Sequence, residues 1–139
     1  AFVLLRMQNK ARGIIWVSSA ATGGENGLKI RVYGTKGSIE WLQDDPNNLK
    51  FTELDKPMKV ITRASKLVSK FSLSSSRIAA GHPEGFFEAF ANIYSEFADQ
   101  IHNKNKKYSF PTIDDGVAGI KFIYAAKKSS NLNSKWIKI

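Results

Sequence analysis

Residues 28–43 read Leu28-Lys29-Ile30-Arg31-Val32-Tyr33, then Gly34-Thr35-Lys36-Gly37, then Ser38-Ile39-Glu40-Trp41-Leu42-Gln43. The first six residues alternate: Leu28, Ile30 and Val32 share one face, and Lys29, Arg31 and Tyr33 share the other. That is the period of a half-exposed strand. The glycine-bounded connection has the length and composition of a hairpin turn, so residues 38–43 are expected to return antiparallel. Working outward, Thr22-Gly23-Gly24-Glu25-Asn26-Gly27 is a turn cluster. Before it, residues 2–8 and 13–20 read as two more strands, separated by Asn9-Lys10-Ala11-Arg12. After it, residues 49–54 and 58–62 read as two short ones. Residues 64–80 are rich in Ser, Lys and Ala with little periodicity, and are read as a loop with a short helical turn. A loop of that length in a compact domain is commonly functional or mobile, and substrate choice is a role it can take.

Beyond residue 80 the period changes. Phe86, Phe87, Phe90, Ile93, Tyr94, Phe97 and Ile101 recur at three- and four-residue spacing, the apolar stripe of a helix over residues 85–103. Pro83 suits its first turn. A second helix is expected over residues 113–128, with Thr112 as cap, Asp115 completing a capping box, and Val117, Ile120, Ile123 and Tyr124 as its stripe. Residues 134–139 read as a last strand. The fold class is therefore α+β: an open, mostly antiparallel sheet with two long helices packed on one face, over a single domain spanning residues 1–139. The other sheet face must meet water, another domain or a partner subunit.

The composition limits the function. The chain has 139 residues, 42% of them hydrophobic and 24% charged, which is enough to build a core without staples. It contains no cysteine, which excludes disulfides and thiolate chemistry from these residues and agrees with a cytoplasmic setting. No apolar run approaches the roughly 18 residues that span a bilayer, so no membrane partner is expected. The chain opens on an apolar stretch, Ala1 to Leu5, without an initiator methionine, and is read as starting inside a gene. The net charge of +9 invites a nucleic-acid partner. Against that, Arg6, Arg12, Arg31, Arg63 and Arg77 are scattered, and the tight basic run at residues 104–107 follows a helix, where cations complement the dipole. No nucleic-acid partner is expected.

No catalytic or cofactor constellation stands in the chain. There is no phosphate loop and no Gly-x-Gly-x-x-Gly after a strand. The two histidines, His82 and His102, lie at opposite ends of a long helix and cannot share a metal through it. Asp44-Asp45 precedes Pro46 in a turn, and Asp114-Asp115 sits in a first helical turn, where negative charge is favoured. Gly81-His82-Pro83-Glu84-Gly85 lies at a helix mouth, where unpaired N–H groups can hold a ligand's oxygen atoms. Read from spacing alone, His82 is a capping residue and Glu84 answers the helix dipole.

Three stretches together resemble the C-terminal half of the glucose–fructose oxidoreductase/inositol dehydrogenase (Gfo/Idh/MocA) family. They are Glu25 to Trp41 as a strand–turn–strand; Arg77 followed by Gly81-His82-Pro83-Glu84-Gly85-Phe86-Phe87 and on through Asn92-Ile93-Tyr94; and Pro111-Thr112-Ile113-Asp114-Asp115-Gly116 with Ser129-Ser130 and the closing Trp136-Ile137-Lys138-Ile139. The resemblance covers nearly the whole chain. It implies a two-domain parent oxidising or reducing a sugar or polyol at a secondary carbon, with NAD or NADP held by a Rossmann domain absent from this chain. The family's Glu-Lys-Pro lysine and Asp-x-x-x-His pair also fall outside it. Asp55-Lys56-Pro57 lies in the wrong domain, so Lys56 is rejected as a catalytic lysine. No catalytic, cofactor-binding or metal residue is expected here, and no activity from these residues alone. The resemblance further implies substrate contact by His82 and Arg77, and a homodimer or homotetramer formed through the open sheet face. Trp16 and Trp41 are candidate sugar platforms, with packing the competing role. The rival expectation is a stand-alone module that binds a protein or polyanion on the sheet face, supported by the net charge. A hydrolase built on the paired acids has no spacing in its favour.

Overall fold

The computed structural model describes residues 1–103 and 108–139, so the basic run at residues 104–107 lies outside the described residues. Six strands precede three helices: β1 Phe2–Arg6, β2 Arg12–Trp16, β3 Lys29–Gly34, β4 Gly37–Leu42, β5 Asn48–Glu53, β6 Lys59–Thr62, α1 Lys70–Ser74, α2 Phe86–His102 and α3 Ile113–Asn131. The chain is α+β with open antiparallel sheets, as the periodicity predicts. The strands form two sheets rather than one, and the chain groups into two compact units. One unit is Ala1–Thr22 with Ser109–Ile139; the other is Gly23–Tyr108.

In the first unit β1 and β2 pair antiparallel, with Phe2 opposite Trp16. Their rings stack at 6.2 Å, so Trp16 is occupied by a cross-strand aromatic pair. The cap of α3 is the one expected: the Asp115 carboxylate accepts from the Thr112 amide and from the Thr112 hydroxyl. Those two bonds hold its pKa below the usual aspartate value. Residues 134–139 do not form the expected strand. Asn133 and Ser134 both take positive φ, and the Ser129 hydroxyl donates to the Lys135 carbonyl, so the chain folds back at the end of α3. Trp136 then lies under the Arg6 guanidinium, 4.0 Å from the ring centre.

The second unit is built on the hairpin read first from the sequence. Gly34 pairs with Gly37 across the turn, and Val32 with Ile39. The register runs on through Ile39 opposite Phe51 and Trp41 opposite Leu49, then Leu49 opposite Ile61. One cross-strand row is therefore Ile30, Trp41, Leu49 and Ile61, and all of it falls on one face because side chains alternate. The other face carries Lys29, Glu40 and Lys50, where Glu40 meets Lys29 at 2.9 Å and Lys50 at 3.1 Å. These two lysines, Lys29 foremost, lower the Glu40 pKa. Gly37 is required sterically: a Cβ there would collide with the Thr52 carbonyl oxygen of β5. The stretch after β6 is largely loop, as expected, with the single turn and a half of α1 capped by the Ser69 hydroxyl. Helix α2 starts at Phe86, one residue later than expected, with Gly85 as its cap residue, so Pro83 precedes the first turn instead of lying in it.

Candidate functional site

The segment between Arg77 and Gly85 lies outside the helices and strands and has one backbone bond of its own, His82 N–H to the Ala79 carbonyl, and side chains meet several of its other backbone groups. Arg63, at the end of β6, meets three of its carbonyls. Its guanidinium donates to the carbonyls of Ile78 at 3.0 Å, Ala79 at 2.9 Å and His82 at 2.6 Å. Two carbonyls three residues apart can converge on one nitrogen because Gly81 sits at φ +86°, in the left-handed region. Glu84 completes the arrangement from the other end. Its carboxylate accepts from the amides of Arg77 and Ile78 and faces the Arg63 guanidinium at 3.3 Å. The Glu84 side chain keeps 7% of its exposure and that of Arg63 keeps 15%, so this is a mostly desolvated pair with its polar atoms satisfied.

Asn47, just before β5, ties the same segment to the sheet. Its amide oxygen accepts from Arg63 Nε at 3.1 Å and from the Glu84 amide at 3.0 Å, and its Nδ2 donates to the Glu84 carbonyl at 3.0 Å. The role expected of Glu84, answering the helix dipole, belongs instead to Glu88. The Glu88 carboxylate accepts from the Gly85 amide at 2.9 Å, which draws its pKa down.

A cavity of about 220 Å³ opens beside this framework, lined by Asn47, Asn48, Thr62, Arg63, His82 and Pro83. His82 thus lies on a cavity wall together with amide and hydroxyl side chains that can donate and accept hydrogen bonds. Arg77 is not among the residues that line it. Its Nε donates to Asn92 at 2.8 Å and its Nη2 to Ser95 at 2.8 Å, both on α2, and Asn92 in turn donates to the Ser75 carbonyl. The structure therefore brings His82 to a cavity and sets Arg77 behind it, holding the loop to the helix. Trp41 lines a second cavity, of about 420 Å³, with Phe86, Glu88, Ala89 and Asn92, and its indole N–H is bound to the Pro46 carbonyl at 3.0 Å. Among the described residues no group of three or more His, Cys, Asp or Glu could hold a metal ion. No described helix is long and apolar enough to cross a membrane.

Sequence reasoning singled out His82 and Arg77 but missed Asn47, Asn48, Thr62 and Arg63 as members of the site. The only local signal for them was the position of Asn47 and Arg63 just outside two paired strands, where side chains are free to leave the sheet.

The whole chain, residues 1–139, matches the model of the oxidoreductase family's C-terminal alpha/beta domain, that of the Gfo/Idh/MocA proteins. The chain belongs to this family. Relatives of the Gfo/Idh/MocA domain include the uncharacterized oxidoreductase YfiI of Bacillus subtilis, 35% identical over 99% of the chain. An oxidoreductase from Sinorhizobium meliloti is similar in structure, with TM-score 0.91 and 46% identity over 99% of the chain. An inositol dehydrogenase homologue from Azotobacter vinelandii, solved with NAD+, gives TM-score 0.93 at 32% identity over 99% of the chain. The same homologue solved with NADH and myo-inositol gives 0.89 at 31%. The chain spans 37% of YfiI, 40% of the Sinorhizobium protein and 37% of the NAD+-bound Azotobacter one. It is thus similar to the smaller part of each.

Proposed function

We propose that residues 1–139 are one C-terminal domain, the substrate-binding and subunit-association half of a cytoplasmic NAD- or NADP-dependent oxidoreductase that acts on a secondary alcohol or ketone of a sugar or polyol. The cofactor is held outside these residues, and the reaction needs that outside part. The observation that carries the reading is the cavity beside His82. Its wall offers Asn48, Thr62 and His82, polar groups that donate and accept, as a polyhydroxy ligand requires, with the Asn47 oxygen already committed to Arg63 and Glu84. The myo-inositol bound to the Azotobacter homologue agrees in ligand class.

In this reading His82 makes a hydrogen bond to a substrate hydroxyl, and Arg77 serves the pocket from behind by fixing the 75–84 loop to α2. Hydride passes between the substrate carbon and the nicotinamide bound by the other domain. This domain's residues orient the substrate and keep water out. The sheet face bearing Lys29, Glu40 and Lys50 is the one offered to a second subunit, which makes the protein a homodimer or homotetramer.

The test is turnover by the gene's full-length product, measured with a panel of sugars and polyols and with each nicotinamide cofactor in turn. His82→Ala is expected to raise KM for the accepted polyol about 10- to 100-fold, the loss of one or two hydrogen bonds to the substrate. An unchanged KM removes His82 from the pocket. A product that oxidises no polyol with either cofactor removes the reading.

A further inference from the structure

Among the described residues, the only lysine, arginine, aspartate or glutamate in the wall of the 220 Å³ cavity is Arg63. An arginine in a sugar pocket is ordinarily a receptor for a carboxylate or phosphate, because its planar fork matches two anionic oxygens. Here the fork is already engaged by four hydrogen bonds and an ion pair. A guanidinium has five N–H donors. Nε is taken by Asn47, Nη1 by the Ile78 carbonyl and the Glu84 carboxylate, and Nη2 by the Ala79 and His82 carbonyls. Four hydrogen bonds therefore hold the fork, and its remaining side is covered by the Glu84 carboxylate as an ion pair. Its charge is met at 3.3 Å by a carboxylate that is itself almost fully covered.

We propose that the Arg63–Glu84 pair, seated on Asn47, is the positioning device of the pocket: it clamps the 77–84 loop so that His82 lines the cavity, and by cancelling its own charge it restricts that cavity to uncharged polyhydroxy ligands. This rests on the polyol reading above and narrows it, since sugar acids and sugar phosphates are excluded. The two parts of the device separate by residue. The fork of Arg63 fixes the loop through three carbonyls. The carboxylate of Glu84 keeps the fork from acting as an anion receptor.

The experiment uses the full-length product and three measurements. Hydrogen exchange over the 77–84 segment needs no ligand. Arg63→Lys retains a cation beside Glu84 but cannot span three carbonyls, so exchange there is expected to rise about tenfold or more while β4 and β5 stay protected. The second measurement is a pair of KM values, for myo-inositol and for glucuronate. The unmodified protein is expected to favour the neutral ligand, and Arg63→Lys to keep that preference with a higher KM and little change in kcat. Glu84→Gln preserves an acceptor for the Arg77 and Ile78 amides but removes the charge. It is expected to shift the ratio of the two KM values toward the anion by about tenfold. The third is the thermal midpoint, which shows that each variant is folded; if Glu84→Gln is not, Glu84→Gln with Arg63→Gln supplies the uncharged pair and should restore the neutral preference.

Equal use of glucuronate and myo-inositol by the unmodified protein, or an unchanged ratio in folded Glu84→Gln, overturns the selectivity. Unchanged exchange in Arg63→Lys overturns the clamp. Failure of the polyol reading looks different: no neutral or anionic polyol is used at all, while the exchange result still decides the clamp.

Discussion

Replacing Asn47 with alanine removes three hydrogen bonds, two joining the β4–β5 connection to Glu84 in the loop before α2 and one to Arg63 after β6. Two are between uncharged groups, the Glu84 amide to Oδ1 and Nδ2 to the Glu84 carbonyl, both at 3.0 Å. The third is donated by a charged group, Arg63 Nε, at 3.1 Å. Net contributions are about 1 kcal/mol for each neutral bond and about 1.5–3 kcal/mol for the charged one. Asn47 also borders the 220 Å³ cavity, so water can reach some of the abandoned groups and offset part of the loss. The expected cost of Asn47→Ala is about 2–4 kcal/mol. Asn47→Asp keeps the oxygen that accepts from Arg63 and Glu84 and loses only the donated bond, so it should cost less. The assay is urea denaturation followed by circular dichroism, with the midpoint falling and the slope unchanged. A cost for Asn47→Ala below about 0.5 kcal/mol, the range of ordinary surface substitutions, would refute the claim that this side chain holds the loop.

Gly37→Ala is expected to destabilise the protein by about 1–3 kcal/mol through its clash with Thr52, and Gly34→Ala to do far less, since its Cβ meets only the Gly37 carbonyl at 3.5 Å; thermal denaturation of the two variants compares them. Glu53 bonded to Lys56 and then Lys59 has its pKa lowered from 4.5 to about 2, so its contribution to stability is full above 4.5 and is lost as pH falls through about 2. Glu53→Gln should therefore flatten the stability–pH curve over that window, with added salt doing part of the same. Arg6→Met should cost about 0.5–1 kcal/mol and shift tryptophan emission by uncovering the Trp136 ring.

The hairpin, α2 and the cap of α3 were legible because each is written in neighbouring residues. Alternation sets the strand face, three- and four-residue spacing sets the helix face, and Thr112 and Asp115 are three apart. The division of the strands into two sheets was not: every pairing is between consecutive strands, and the turn cluster at residues 22–27 does not show that β2 and β3 are the one consecutive pair left unpaired. Residues 134–139 carry β-favouring Trp136, Ile137 and Ile139, but the turn at Asn133 and Ser134 and the bond from Ser129 take the segment elsewhere. Propensity lost to context there. At the candidate site, the helix mouth alone read His82 as a cap, and the family resemblance was what made it a candidate for substrate contact. Its framework was not legible: Asn47 and Glu84 are 37 residues apart, and Arg63 lies 19 before His82. Glu84 looked like a helix-start acid because the sequence cannot show that Glu88 already fills that place.

Arg63 and Glu84 stand at the two ends of the segment they close, like the drawn neck of a bag. The closure entropy of such a loop grows only with the logarithm of its length, about 0.6 kcal/mol for each doubling. Between Ala64 and Ser74 residues can therefore be inserted or deleted at small thermodynamic cost, because the Arg77–Gly85 stretch takes its geometry from the neck and from α2 and not from what precedes it. That makes 64–74 the place to graft foreign sequence, or to look for length variation between related chains, with the fold left standing.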